Sequence, residues 1–170
     1  DCDGNSVGEL INNLSKYRIR SKVEIKDLSS NYVVGIIHYE NFKMIQKELN
    51  KKESTLHFRD SPIFVDSRDS DLGARIISPL EKLYLTIKKL NLKIVENNSY
   101  IKKAFLKGIP VEGLMSLQNQ LFGLEINFEK LNAIDFKKGC YVGQENTARM
   151  KLKNKIRRQL MSIKTEKSVK

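Results

Sequence analysis

The feature that most limits the fold of this chain is a mixture of helical segments and short β-rich runs within 170 residues. Ser6 and Glu9 have the spacing of a capping box, and apolar residues follow at helical intervals, which predicts a helix over about 6–17. Pro79 is predicted at the first position of a second helix. The other predicted elements are helices around 42–49 and 99–107 and strands near 23–25, 32–39, 55–58, 63–65 and 72–77.

The order of these elements indicates the fold class. The first two strands are predicted to form a hairpin across a turn at 27–31, while Gly108 and Pro110 end the helix at 99–107. Helices and hairpins are mixed rather than alternating regularly as in βαβ units. The pattern therefore predicts an α+β class. Between 111 and 136 the periodicity fades, and so long an irregular stretch favours a binding region.

Composition limits the setting and the partners. Apolar residues make up 40% of the chain, enough for a folded core, and no run reaches the ~20 apolar residues that a membrane helix needs. Without a recognisable export signal, we expect a cytoplasmic protein, or a matrix protein in a eukaryote, that is a monomer and binds no membrane. The net charge of +11 suits an anionic ligand such as nucleic acid or a polyglutamate tail, although scattered lysines also occur on ordinary solvated surfaces.

The two cysteines, Cys2 and Cys140, exclude a four-thiolate metal site within this chain. Neither lies in a C-x-x-C pair, and no metal ligands are predicted. A thiol reacts as its thiolate, which neighbouring positive charge or helix-end amides favour. Cys140 follows Lys138 and Gly139, and a helix can start at about residue 144. Cys140 is therefore the candidate functional thiol, although a lone cysteine is often just a small buried apolar residue.

The string KGCYVGQE at 138–145 resembles the signature of the folate-binding, iron–sulfur-assembly branch of the glycine-cleavage T-protein superfamily. Further segments resemble that branch in the same order along the chain, at 17–23, 65–68, 72–75, 108–110, 124–127, 131–136 and 148–150. The resemblance therefore covers nearly the whole chain.

The resemblance implies a T-protein-like folate-binding fold of mixed sheets with packed helices, its N-terminal segment and C-terminal barrel missing or truncated. It implies a central folate-binding region at 1–110, a motif-bearing loop and helix at 111–155, and the start of a barrel at 156–170. A capped helix at the very start and an unpartnered strand-like run at 156–163 also suggest a piece of a longer protein.

The function that the resemblance implies is binding of tetrahydrofolate, or a one-carbon-substituted folate, in support of iron–sulfur cluster assembly or repair. The partners would be assembly or client proteins. Cys140 and Lys138 would be the catalytic residues. The predicted cofactor-binding residues are Gly139, Tyr141, Gly143, Gln144, Glu145, Glu125, Asn127 and Arg75. Two further aromatic residues, Phe122 and Phe136, could stack on a flat heterocycle or equally belong to the core.

Two other functions compete with this one. T-proteins that act as aminomethyltransferases carry a glutamate where this chain has Leu106, which argues against glycine cleavage and leaves enzymatic activity open. The basic run at 151–158 could contact nucleic acid, but it lacks interleaved aromatic residues for base stacking, so a solvated face or docking edge is favoured.

Overall fold

The computed structural model describes residues 1–111, 113–117, 119–153 and 156–165. These residues form an α+β structure, as predicted. In chain order, the helices and strands are α1 (Val7–Lys16), β1 (Val33–Ile37), α2 (Tyr39–Glu48), β2 (Thr55–Phe58), β3 (Ser61–Val65), β4 (Ala74–Ser78), α3 (Leu80–Lys89), α4 (Asn98–Leu106) and α5 (Gln144–Leu152). Short 3₁₀ turns lie at Gly4–Ser6, Ser70–Leu72 and Leu114–Leu117. Within the described ranges, no helix is long and apolar enough to cross a bilayer.

The chain divides into two compact units. The sheet unit comprises residues 1–65 and 73–93, and the motif unit comprises 66–72 and the chain from residue 94 onward. The three linear segments expected from the resemblance, and the T-protein-like fold itself, stay predictions.

The sheet unit is built on four antiparallel strands in the order β1-β4-β3-β2. Its core lies where α2 packs on the sheet, because Phe42 and Ile45 of that helix are fully buried. Leu56, Ile63 and Ile76 supply the sheet side of this core. Burying a side chain of this size contributes about 1.5–3 kcal/mol, so this cluster is the main source of stability in the unit.

The predicted hairpin between 23–25 and 32–39 is wrong. Residues 21–28 form no strand, and Val23 is 55% exposed. β1 pairs instead with β4, in a register that sets Val33 opposite Ser78 and Ile37 opposite Ala74. Short alternation of apolar residues predicts an extended segment but does not specify which strand will pair with it. The turn at 27–31 does form, with the Asp27 carboxylate accepting the Ser29 amide at 2.8 Å.

The motif unit has a smaller core of Leu72, Ala104 and Ile109. The predicted stop of the helix at 99–107 is confirmed, since α4 ends at Leu106 and Gly108 follows in the left-handed region with φ +68°. The Ile109 amide then donates to the Ala104 carbonyl at 2.9 Å, which caps the last turn. As predicted, the described residues between 111 and 136 are mostly irregular.

Candidate functional site

Cys140 lies exposed on the turn that leads into α5. The turn starts where the Asp135 carboxylate accepts the Lys137 amide at 2.8 Å. It ends at Gly143, whose φ of +84° is a conformation that L side chains rarely adopt. This geometry leaves the thiol open to solvent and therefore to another molecule.

Gln144 and Gly143 build the start of α5. The Gln144 side-chain oxygen accepts the Tyr141 amide at 3.2 Å, and the Gly143 carbonyl accepts the Thr147 hydroxyl at 3.2 Å. Glu145 is exposed in the first turn, where its charge suits the positive end of the helix. The helix predicted to start near residue 144 is confirmed. The side chain of Gln144 therefore has a structural role at the helix start. Its predicted role in cofactor binding stays a prediction.

Tyr141 and Lys138 lie together beside Cys140. The Lys138 ammonium lies 5.1 Å from the centre of the Tyr141 ring, within the range of a cation–π contact. The Tyr141 hydroxyl is buried and has no hydrogen-bond partner among the described residues. A buried hydroxyl without a partner carries a free-energy cost, and among the described residues it makes no hydrogen bond that positions the ring.

Glu125 is buried and holds the 158–160 segment in place. Its side chain is 5% exposed, and the two carboxylate oxygens accept Nε and Nη2 of Arg158, each at 3.2 Å. The Phe122 amide donates to the same carboxylate at 3.0 Å, and this bond, followed by that of Arg158, lowers the pKa of Glu125. The Leu160 amide donates to the Glu125 carbonyl at 2.8 Å. The carboxylate of Glu125, predicted to bind folate, is therefore already bonded to the Phe122 amide and to the Arg158 guanidinium.

Asn127 also bonds to the 158–160 segment. Its amide nitrogen donates to the Leu160 carbonyl at 2.8 Å, and its oxygen accepts Gln159 at 2.6 Å. The strand-like run predicted at 156–163 is assigned no strand over 156–163. Its backbone at Leu160 nevertheless bonds to Glu125 and Asn127.

Two open clefts flank α5 within the motif unit. The first, of about 860 Å³, is lined by residues that include Glu129, Ile134, Phe136, Lys137, Lys151 and Leu152. Lys151 is paired there with Glu129 at 2.6 Å and lies 5.8 Å from the centre of the Phe136 ring. The second, of about 630 Å³, is called here the arginine cleft and is lined by residues that include Phe122, Glu125, Arg149, Met150, Arg157 and Arg158.

The basic run at 151–158 is thus partly neutralised, because Lys151 and Arg158 have carboxylate partners. Lys155 of that run lies outside the described residues. A neutralised basic group contributes less to phosphate binding, so Lys151 and Arg158 give little support to a nucleic-acid interface.

A second set of charged residues in the motif unit was not singled out from the sequence. Asp66, 6% exposed, accepts Nε and Nη2 of Arg68 at 2.9 and 2.7 Å. Arg68 also donates to the Tyr100 hydroxyl at 2.8 Å, and its hydrogen bonds to Asp66 raise its pKa. Both charged residues fall in the 65–68 segment that carries the family resemblance. The bond from Arg68 to Tyr100 ties this segment to α4, so the segment has a structural role.

Arg75 belongs to a different compact unit from the other predicted site residues. It is on β4 in the sheet unit and forms an ion pair with Asp1, whereas the remaining predicted residues belong to the motif unit. Among the described residues there is no group of three or more His, Cys, Asp or Glu that could hold a metal ion.

Fold and site together define an α+β protein in which the exposed Cys140 precedes a helix and neighbours a lysine and a tyrosine in the chain. No family model matches the chain. Curated relatives do match. The chain is 30% identical to the mitochondrial iron–sulfur cluster assembly factor IBA57 homologue of Dictyostelium discoideum, over 96% of its own length and 40% of that protein.

Two other relatives carry the same description. The chain is 28% identical to the mitochondrial iron–sulfur cluster assembly factor IBA57 of Mus musculus, over 98% of its length and 44% of that protein. It is 27% identical to the homologue of Mycosarcoma maydis, over 96% of its length and 37% of that protein. The chain is therefore homologous to the IBA57 group of assembly factors, and the predicted resemblance is confirmed. It spans about two-fifths of the length of these relatives, and their mitochondrial location agrees with the setting expected for a eukaryotic chain.

Proposed function

We propose that this chain is the cysteine-bearing part of a folate-dependent iron–sulfur cluster assembly factor, and that Cys140 is its functional thiol. The observation that carries the proposal is the exposed position of Cys140 on the turn before α5, within the motif at 138–145. The similarity of the chain to iron–sulfur cluster assembly factors supports the cluster-assembly part.

The chemistry of the site suits a thiol that works with groups from other molecules. One thiolate cannot hold a cluster alone, so assembly or client proteins would supply the remaining ligands. Lys138 lies two residues before Cys140 and places an ammonium group beside the Tyr141 ring. This positive charge attracts an anionic partner toward the turn that carries Cys140.

Folate is the proposed cofactor. A reduced folate combines a flat heterocycle with an anionic glutamate tail. The motif unit offers both kinds of surface, since Phe122 and Phe136 are exposed and lie in clefts that also contain basic side chains. Such pairing of aromatic and basic groups is common in sites for flat anionic ligands.

The thiol is tested by replacing Cys140 in the full-length protein. Cells depleted of the natural protein receive the wild type, Cys140→Ala or Cys2→Ala, and the activities of iron–sulfur enzymes are measured at matched protein levels. Cys2 is the matched control because it is the other exposed free cysteine. We expect Cys2→Ala to restore the activities and Cys140→Ala to fail. Full restoration by Cys140→Ala would falsify the proposed role of the thiol.

Folate binding is tested separately, by calorimetric titration of the full-length protein with tetrahydrofolate. Saturable binding is expected. The same preparation should release no ammonia from an aminomethylated lipoyl carrier in the presence of tetrahydrofolate, because Leu106 occupies the position at which aminomethyltransferases carry a glutamate. Ammonia release would favour the aminomethyltransferase function instead.

A further inference from the structure

The arginine cleft contains more positive charge than its own residues neutralise. One carboxylate, Glu125, faces three guanidinium groups in this cleft. Arg158 is committed to Glu125 through two hydrogen bonds and also donates to the Gln120 carbonyl at 3.0 Å. Arg149 and Arg157 have no carboxylate partner among the described residues. Two like charges therefore remain in one concave surface of about 630 Å³.

Such an arrangement is stabilised by an anion that carries two acidic groups. Guanidinium groups bind carboxylates through paired hydrogen bonds, and Arg149 and Arg157 are both exposed to an approaching ligand. The two arginines come from different parts of the chain. Arg149 is in the last turn of α5, whereas Arg157 is in the segment that Glu125 and Asn127 hold in place.

The cleft also has an apolar side that a simple inorganic anion would not use. Phe122 is 54% exposed, and Met150 lies in the same lining. A flat aromatic ring can pack on an exposed phenylalanine and a methionine thioether. The lining therefore fits a ligand that joins an aromatic ring to a pair of carboxylates.

We infer that the arginine cleft binds the benzoyl-glutamate end of the folate, with Arg149 and Arg157 on the two glutamate carboxylates and Phe122 against the benzoyl ring. This inference rests on the proposed folate function and adds to it the residues that recognise the tail. Glu125 and Arg158 act as positioning residues, because their ion pair holds the segment that carries Arg157.

The test compares two ligands that differ at the tail, because tetrahydropteroate ends in one benzoate carboxylate where tetrahydrofolate has an amide-linked glutamate with two carboxylates. Tetrahydrofolate and tetrahydropteroate, which lacks the glutamate, are titrated into the full-length wild type, Arg149→Gln, Arg157→Gln and the double variant. Arg20→Gln is the matched control, since Arg20 is an exposed arginine of the sheet unit. Thermal midpoints are measured in parallel to show that each variant is folded.

The wild type should bind tetrahydrofolate more tightly than tetrahydropteroate, and each arginine variant should lose roughly ten-fold in affinity for tetrahydrofolate alone. In the double variant the two ligands should bind almost equally, while Arg20→Gln should match the wild type. Raised salt should weaken tetrahydrofolate binding to the wild type more than to the double variant.

Two results overturn the inference while leaving the folate function intact. One is a wild type that binds both ligands equally. The other is a folded double variant that still distinguishes them by the wild-type ratio. A wild type that binds neither ligand would remove the folate function and this inference together, whereas the Cys140 experiment would stand independently.

Discussion

Gly73 offers a sharp test of the sheet because its backbone leaves no room for a side chain. It directly precedes β4, with a φ of +94°. A Cβ atom added there would lie 2.0 Å from the Ile37 carbonyl oxygen and 3.1 Å from its carbon. Both are backbone atoms of β1, which is held by its pairing with β4, so the strand cannot yield cheaply.

Replacing Gly73 with alanine should therefore lower the free energy of unfolding by two additive effects. The positive φ costs an L residue about 1–2 kcal/mol, and forcing the strands apart costs about 1–3 kcal/mol more. A total loss of roughly 2–5 kcal/mol follows from these two ranges. Urea unfolding followed by circular dichroism measures it as a lower midpoint with an unchanged slope.

Gly8→Ala is the matched control for this substitution. Gly8 lies in α1, and a Cβ atom there would meet nothing within 4 Å. Alanine should raise the free energy of unfolding by up to about 1 kcal/mol, because it favours the helix over glycine. The reasoning is refuted if Gly73→Ala unfolds at the wild-type midpoint, or if both alanine variants shift the midpoint in the same direction.

Two further predictions concern the core and the response to acid. Ile45→Ala should lower the free energy of unfolding by about 2–5 kcal/mol, because the Ile45 side chain of α2 is fully buried against the sheet. Hydrogen bonds from Lys107 and then from the Asp71 amide lower the pKa of Asp69 below its ordinary 3.8. Asp69 therefore contributes stability that is present above pH 3.8 and is lost as the pH falls through its lower, folded-state pKa. Lys107→Met should reduce the fall in unfolding free energy between neutral pH and about pH 3.

The controls for these two predictions come from the same chain. Met44 adjoins Ile45 but is 62% exposed, so Met44→Ala should change the unfolding free energy by less than about 0.5 kcal/mol. An equal loss in both alanine variants would contradict the position of the core. For the acid response, Lys43→Met removes a lysine whose partner, Glu40, is exposed. If Lys107→Met and Lys43→Met show the same acid sensitivity as the wild type, the Asp69 contact adds no stability.

Much of the secondary structure could be predicted from short-range signals. The helix expected at 99–107 is α4 at Asn98–Leu106, and the strand expected at 55–58 is β2. The hairpin expected from 23–25 failed because alternation over so few residues carries no information about the partner strand. β1 pairs instead with β4, which lies about forty residues further along the chain.

The candidate site was predicted less completely. The turn before α5 follows from the glycines at 139 and 143, and the exposed thiol lies where the motif suggested. The contacts of Glu125 could not have been predicted in this way. Its partner, Arg158, is separated from it by 33 residues, and no local pattern links a buried glutamate to an arginine at that distance.

The sequence by itself determined the α+β class, the ends of its best helices, the cysteine turn and the family resemblance. These features depend on apolar periodicity and on glycine and proline effects that act within a few residues, or on a motif that can be read directly. Only the tertiary structure decided which strands pair, which carboxylates are already engaged, and which arginines remain in a cleft. Those outcomes depend on burial and on contacts between distant residues, whose energies are set by the surroundings of each group and not by its neighbours in sequence.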